Sequence, residues 1–412
     1  MSLPECDFYV GIDWAAQTHA VCVQDAAGKI TAQFTIEHTA DGFATLLARL
    51  GRLADDPMQV SVALERPDGR LVDALLEAGY PVVPVSPNAI KTWRDGEVLS
   101  GAKSDAGDAA VIAEYLRLRS HRLRPATPFT PATRALRTVV RTRDDIVAMR
   151  TATANQLTAL LDAHWPGATK VFADIESPIA LEFLTRYPTA KHAAGLGEKR
   201  MAAFCVKHGY SGRRSAAELL TRLRAAPAGT TDPDLVEAVR DAVLALVAVL
   251  RTLGETRKDL DRSVTAHLGE HPDAAIFTSL PRSGQINAAQ VLAEWGDSRQ
   301  AYDSPDAVAA LAGLTPVTKA SGKYHAVHFR WACNKRFRKA MTTFADNSRH
   351  QSPWAAEVYR RAIQRGHDHP HAVRVLARAW VRVIYRCWLD REPYDPARHG
   401  NANKINSGQL AA

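Results

Sequence analysis

Residues 7–36, DFYVGIDWAAQTHAVCVQDAAGKITAQFTI, hold three apolar bursts, FYVGI, HAVCVQD and TAQFTI, with DAAGK as the turn between the second and third. Short apolar runs separated by turn residues read as a three-stranded antiparallel meander. The pattern then changes. DGFATLLARLGRLADD is amphipathic, with Asp41 as its expected N-cap. The strand QVSVALE, the helix RLVDALLEAG stopped by Gly79, and the strand YPVVPVS follow. A last helix begins near Asp105 and runs through AAVIAEYLRLRS. This order predicts an α/β domain with a mixed sheet over residues 1–130.

Acidic residues fall at the ends of these elements. Asp13 closes DFYVGID and Glu65 closes QVSVALE, and a carboxylate capping a buried strand is costly unless a cation meets it. In KSDAGD, residues 103–108, Asp105 and Asp108 lie three apart at a helix start, where positions i and i+3 share a face. Solvated first-turn acids, favoured by the helix dipole, are the ordinary explanation of that pair alone. With Asp13 and Glu65 added, the pattern suggests one metal site. Mg²⁺ is the hard, oxygen-seeking candidate, and with no His or Cys at ligand spacing zinc is not expected. Two such ions about 3.5–4 Å apart are a common phosphodiester-processing device.

At 412 residues the chain exceeds one ordinary domain, and a net charge of +8 points to a polyanionic partner. The longest apolar run, AVLALVAVL from Ala242, is far below the roughly 20 residues that span a bilayer. No membrane segment is expected, and the opening MSLPECD lacks the charged-then-apolar pattern of a leader. Cys6, Cys22, Cys205, Cys333 and Cys387 are scattered and never spaced as CxxC, which predicts reduced thiols in a cytoplasm.

Beyond residue 130 the sequence turns helical. Leu136, Val139, Val140, Ile146, Val147, Leu157, Leu160 and Leu161 recur near helical spacing, interrupted by Arg143 and Arg150, which suit a solvated face or a phosphate equally. The region from Ala168 to about Thr231 suits a small helical subdomain or a connection facing nucleic acid. Leu235, Val239, Ala242, Leu246, Val249, Leu253, Thr256, Leu260, Ser263 and His267 then step by four and three, the coiled-coil repeat. It predicts either pairing with the Leu136 helix or a seam between subunits.

In LPRSGQINAAQVLAEWG a turn with Gly284 opens a helix, a shape similar to the helix-hairpin-helix element whose backbone N–H groups hold a phosphate. Arg282 stands where that element usually has a second glycine; the arginine could supply the contact itself, and a plain helix start is the alternative. Next comes the densest basic stretch, with Lys319, Lys323, Arg330, Lys335, Arg336, Arg338 and Lys339 and no acid among them. Tyr324, Phe329, Trp331 and Phe337 interleave it, and aromatic rings among cations suit nucleic acid. RVLARAWVRVIYRCWLD predicts a core-packing helix with a cationic outer face, its Trp380, Tyr385 and Trp388 packing rather than stacking on bases. The polar residues 399–412 predict a disordered tail.

The order YVGIDW, ALERP, KSDAGDA, LPRSGQINAAQVLAEWGD and LAGLTPVTKASGK resembles the DEDD transposases of bacterial insertion sequences, the insertion sequence one-hundred-ten family, over nearly the whole chain. The resemblance implies an RNase H-like domain similar to the RuvC Holliday-junction resolvase at residues 1–130. A helical linker and coiled-coil region would occupy 131–268, and a mainly helical transposase domain 269–398. It implies Asp13, Glu65, Asp105 and Asp108 as Mg²⁺ ligands and Ser321 of KASGK as the nucleophile on a DNA phosphorus. Gly322 would allow close approach and Lys323 would offset charge; Ser283 and Ser348 lack the matching context. The implied partners are element-end and target DNA, a structured bridge RNA that pairs with both, and further copies of the chain as dimers pairing into tetramers, associated with the nucleoid. Arg282, Gly284, Lys319, Lys323, Arg330, Lys335, Arg336, Arg338 and Lys339 are the expected nucleic-acid contacts. Two other functions fit the residues: a structure-selective nuclease using metal-activated water, and a non-catalytic nucleic-acid scaffold.

Overall fold

A computed structural model describes residues 3, 5–65, 69–97, 104–322 and 324–398, so Lys323 and the expected tail at 399–412 lie outside the described residues. The chain forms two units, residues 1–129 with 298–303, and residues 130–297 with the segment from 304 onward.

In the first unit the meander forms as β1 (Phe8–Trp14), β2 (Thr18–Asp25) and β3 (Ile30–Glu37). Then come α1 (Ala40–Leu50), β4 (Val60–Leu64), α2 (Arg70–Glu77), β5 (Val82–Pro84), α3 (Pro87–Glu97) and α4 (Asp105–Arg119). The sheet order is β3-β2-β1-β4-β5. The β1–β2 and β2–β3 pairs are antiparallel, while β4 runs parallel to both β1 and β5. The sheet is therefore mixed, as expected, and is covered on both faces. Val10, Ile12, Val62 and Leu64 pack with Leu46, Leu50, Leu71 and Leu75 on the side of α1 and α2. Tyr9 and Ala63 pack with Ile90, Val111, Ile112 and Leu116 on the side of α3 and α4.

One residue sets how closely α4 can lie on the sheet. A Cβ at Gly11 would stand 2.1 Å from the Ala109 carbonyl oxygen and 2.4 Å from the Ala113 nitrogen, so only glycine admits the helix at this height. Two local expectations change. Thr39, not Asp41, caps α1, its hydroxyl accepting from the Gly42 N–H at 3.1 Å, because the helix starts two residues earlier than its apolar pattern suggests. Helix α3 had no reading in the sequence: it presents only Ile90 and Trp93 to the core, too short an apolar period to register.

The second unit begins with α5 (Pro131–His164). The short helices α6 (Ala168–Val171), α7 (Pro178–Arg186), α8 (Ala190–Ala193), α9 (Glu198–Lys207) and α10 (Ala216–Arg224) lead to α11 (Pro233–Gly269). After these come α12 (Ala274–Thr278), α13 (Gln285–Trp295), α14 (Pro305–Leu311), the hairpin β6 (Val317–Ser321) and β7 (Tyr324–His328), α15 (Lys335–Ser348), α16 (Pro353–Gln364) and α17 (His369–Asp390). The region 168–224 is thus a set of small helices.

Helix α11 pairs with α5 inside the chain, through a stripe shifted from the expected one. Val239, Val243, Val247 and Leu250 join Leu157 and Leu161 in one core, whereas Leu235 and Val249 are 41% and 47% exposed. Residues of α7, α9 and α10 enter the same core. A helix packed against several neighbours buries a broad 3.6-period face rather than a narrow 3.5-period seam. In α17, Trp380, Tyr385 and Trp388 are buried as expected. The Trp380 indole donates to Ser348 Oγ at 2.8 Å and the Trp388 indole to the Gly296 carbonyl at 3.1 Å.

A buried carboxylate ties three helices together. Glu294 of α13 is 3% exposed and accepts from Arg141 of α5 at 2.8 and 3.0 Å, from Arg137 at 3.4 Å and from the Asn334 amide at 2.6 Å. Asn334 in turn caps α15 by accepting from the Phe337 N–H at 3.0 Å. Burial pushes the Glu294 carboxyl up, but hydrogen bonds from Arg141 and Asn334 and the charges of Arg137 and Arg141 hold it below the usual range. All five cysteines are free, and among the described residues no helix is long and apolar enough to cross a membrane.

Two predictions follow from this packing. Gly11→Ala is expected to destabilise the protein by about 1–3 kcal/mol through overpacking against α4, read as a lower urea midpoint. Glu294→Ala leaves two arginines facing a void and should cost about 3–5 kcal/mol. Because the folded-state pKa of Glu294 is depressed, its contribution is full above the unfolded value of about 4.3 and is lost as pH falls through the folded one. A urea series from pH 7 to pH 3 should therefore show less acid destabilisation in Glu294→Gln than in the wild type.

Candidate functional site

The acids can be placed from strand alternation. Gly11 faces α4, so Asp13, two residues on, shares that face; Ala63 packs with α4, and Glu65 follows it by the same step. Ile12 pairs with Leu64 in the parallel β1–β4 register, which sets Asp13 and Glu65 side by side at the carboxyl ends of neighbouring strands. Helix α4 starts at the same end of the sheet. Its N-cap Ser104 accepts from the Gly107 N–H at 3.1 Å. The pair three residues apart divides in exposure: Asp105 is exposed and Asp108 is 9% exposed.

Asp108 has a cationic partner that the sequence did not reveal. Arg94 of α3 donates to Asp108 Oδ1 at 2.6 Å. This hydrogen bond first, then the charge of Asp108 and those of Asp95 and Glu65, hold the guanidinium above its ordinary range. Arg94 thus stands in the field of two of the four acids. Its only advance signal was the Pro87 helix start followed by Ile90 and Trp93.

The donor set is all carboxylate oxygen, which suits a hard divalent cation. Among the described residues, however, no group of three or more His, Cys, Asp or Glu side chains is gathered tightly enough to hold a metal ion. The acids share one end and one face of the sheet, with Arg94 as the cation that meets Asp108.

Behind Asp13, Trp14 packs within 6.0 Å of His19 and 6.3 Å of His38. Burial, and then the neighbouring His38, bring His19 down to about 4, so it is neutral at pH 7. The Ala15 N–H donates to His19 Nδ1 at 3.4 Å, which leaves His19 Nε2–H to donate to His38 Nδ1 at 2.8 Å.

In the second unit Ser321 ends β6 and faces Tyr324 across the hairpin. Ser321 and Gly322 are exposed, and Gly322 takes φ +56° in open space. A two-residue hairpin turn calls for positive φ, so glycine here holds the serine at a tight tip. The two other serines considered are enclosed. Ser348 is fully buried, donating to the Ala345 carbonyl at 2.7 Å while accepting from Trp380, and Ser283 Oγ is buried too.

The basic stretch divides by role. Lys319, Lys335 and Lys339 are exposed. Arg336 pairs with Asp145 at 2.7 Å and donates to the Arg141 carbonyl at 3.2 Å. Arg330 donates to the Thr315 carbonyl at 3.1 Å, and Arg338 donates to the Arg330 carbonyl while stacking over Phe329 at 4.3 Å. Phe337 is a core residue at 0% exposure, whereas Trp331 is 74% exposed.

At the start of α13, Arg282 adopts φ 54°, the left-handed region for which the usual glycine is suited, and its N–H donates to Gln351 Oε1 at 2.9 Å. Gly284 caps α13 with no side-chain hydrogen bond. A cleft of about 550 Å³ opens there, lined by Arg143, Arg282, Gly284, Asn287 and Lys339. Arg143 is already held by Asp261 at 2.8 Å, so Arg282 and Lys339 are its exposed cations.

Residues 10–166 match the family model for the DEDD transposase of the IS110 type, described as "Transposase", and residues 274–360 match "Transposase IS116/IS110/IS902 family". The first span contains the four acids and the second contains Gly284 and Ser321. The chain is 33% identical over 399 residues to the Mini-circle transposase candidate for IS117 of Streptomyces coelicolor, covering 95% of this chain and 96% of that relative. The chain belongs to the IS110-type transposase family. Similarity also extends to the insertion element IS900 uncharacterized 42 kDa protein of Mycobacterium paratuberculosis, at 28% identity over 94% of this chain and 97% of that one. A third relative, the insertion element IS110 uncharacterized 43.6 kDa protein of Streptomyces coelicolor, is 28% identical over 71% of this chain and 72% of its own length.

In this transposase the conformation and the charge of Arg282 can be separated. Arg282→Gly removes the left-handed strain and keeps the backbone bond to Gln351, so thermal stability is expected to hold or rise by up to about 1 kcal/mol. Affinity for a duplex should fall, with the salt slope shallower by about one. A melting scan and a salt titration of DNA binding check both.

Proposed function

We propose that this transposase cuts and rejoins DNA through a serine–DNA intermediate, its acids assisting the transfer. The exposure of Ser321 at a hairpin tip, held by a positive-φ glycine, is the observation that carries the reading. As the Oγ–P bond forms, Ser321 gives up its proton. The bond from phosphorus to the 3′ oxygen breaks, and that oxygen leaves as a 3′-hydroxyl after gaining a proton. A 3′-hydroxyl then attacks the phosphoserine, restoring a phosphodiester and freeing Ser321. The covalent link conserves the bond energy, so no nucleotide is hydrolysed.

The five-stranded mixed sheet with α4 across it supports an RNase H-like, RuvC-like reading of residues 1–130, followed by a helical region at 131–268 and a transposase domain at 269–398. Asp13, Glu65, Asp105 and Asp108 are the residues that would hold a divalent cation, Mg²⁺ by donor hardness. Such an ion supplies electrophilic stabilisation of charge on the transferring phosphate. Arg94 holds Asp108 Oδ1, so in the ligand set it would orient that carboxylate or compete with the ion for it.

Lys319, Lys335, Lys339, Arg282 and Trp331 grip the strand without reading its sequence. Sequence choice then belongs to base pairing with a structured bridge RNA, and assembly to dimers and tetramers in which the serine of one copy meets the acids of another. An RNA that copurifies with the protein, and whose removal abolishes target selection, is the expected sign of that delegation.

The covalent step has a direct test. End-labelled DNA carrying the element's termini, incubated with protein and Mg²⁺ and run on a denaturing gel, should give a slow band that protease removes. Ser321→Ala should lose the band and the rejoined product, and Asp13→Ala or Glu65→Ala should reduce both by 100-fold or more, on the order of a lost catalytic group. Rejoining by Ser321→Ala at the wild-type rate would remove the serine from the mechanism. Cleavage with no adduct would assign the acids to hydrolysis instead.

A further inference from the structure

A second basic cleft lies at the root of the serine hairpin. It measures about 420 Å³ and is lined by Thr315 and Pro316 before β6, Phe329 and Arg330 after β7, and Arg374 and Arg378 of α17. Its donors exceed what the protein itself satisfies. Arg374 stacks over Phe329 at 5.1 Å, and among the described residues no carboxylate forms an ion pair with it. Burial, relieved in part by Asp368 and opposed again by Arg338, holds the Arg374 guanidinium below its ordinary range.

Arg378 pairs with Asp306 at 3.1 Å, yet its Nε is buried without an acceptor, as are Arg338 Nε and Thr315 Oγ1. His371 also lines the cleft, and burial followed by the charges of His367 and Arg374 keeps it below its usual range. The wall therefore presents the guanidiniums of Arg330, Arg374 and Arg378 and a net positive charge. The matching ligand is an anion with several acceptor oxygens and no proton of its own.

We propose that this cleft clamps a phosphate of a nucleic-acid backbone, with Arg374 as the main contact and Arg378 and Arg330 beside it. The clamp lies on the chain segment that carries Ser321. Pro316 and Ser321 are five residues apart in extended structure, about 16 Å, or about five base steps of a duplex strand. The gripped phosphate is thus about five nucleotides from the one that Ser321 attacks, and a rigid hairpin converts the grip into register. This placement rests on the serine reading above; the binding itself does not.

The two are separated by measuring binding in the full-length Ser321→Ala protein, in which chemistry is already removed. Fluorescein-labelled 20-nucleotide single strands, one DNA and one RNA, are titrated by anisotropy over a range of salt. Arg374→Gln is expected to weaken binding about tenfold and to flatten the log–log salt slope by about 0.7, the value for one phosphate on a single strand. Arg374→Lys should recover the slope. Loss in the DNA arm alone assigns the clamp to the transferred strand, and loss in the RNA arm alone assigns it to a bound RNA.

Val327 lines the mouth of the cleft and is 60% exposed, so Val327→Glu adds a repelling charge with little effect on folding and should weaken the same arm. Wild-type affinity and slope in both arms for both Arg374→Gln and Val327→Glu would overturn the clamp. The adduct assay on protein with Ser321 intact reports separately on the serine.

Discussion

The close seating of α4 on β1 is the constraint on which the first unit depends. Without a side chain at Gly11, backbone meets backbone, and the helix start comes down beside the strand ends that carry Asp13 and Glu65. A larger residue would lift the helix and separate acids that come from three distant parts of the chain. Placing like charges together has an energetic cost, and Arg94 offsets part of it at Asp108. Among the acids at this end of the sheet, Asp108 therefore already has a cation beside it.

The second unit is held together by a buried carboxylate and an aromatic core. Glu294 locks α13 to α5 and to the cap of α15, and the side chains of Phe337 and Trp295 fill the space between. From that base the β6–β7 hairpin projects, its root braced by Arg338 and Arg374 on the faces of Phe329. Desolvated cations at the root and a solvated serine at the tip are two ends of one short element.

Charge in this protein is also unevenly committed. Arg137, Arg141, Arg143 and Arg336 are engaged with carboxylates or carbonyls of the protein itself. Lys319, Lys335, Lys339 and Arg374 are not paired in this way, and they lie around the hairpin and the start of α15.

The sequence by itself determined the strand order of the meander, the mixed sheet, the start of α4 and the acids at the element ends. Those features rest on local signals: apolar period, and a helix-stopping glycine such as Gly79. Tertiary structure decided the rest. The α11 stripe moved to Val243 and Val247 because several helices share that face. Asp105 and Asp108 divided in exposure because α4 is docked rather than free. Arg94 found its carboxylate across 14 residues, through a helix with too few apolar positions to read, and Arg374 reached Phe329 from a separate helix. Pairings of this kind depend on which surfaces meet, and a one-dimensional pattern records the surfaces but not their meeting.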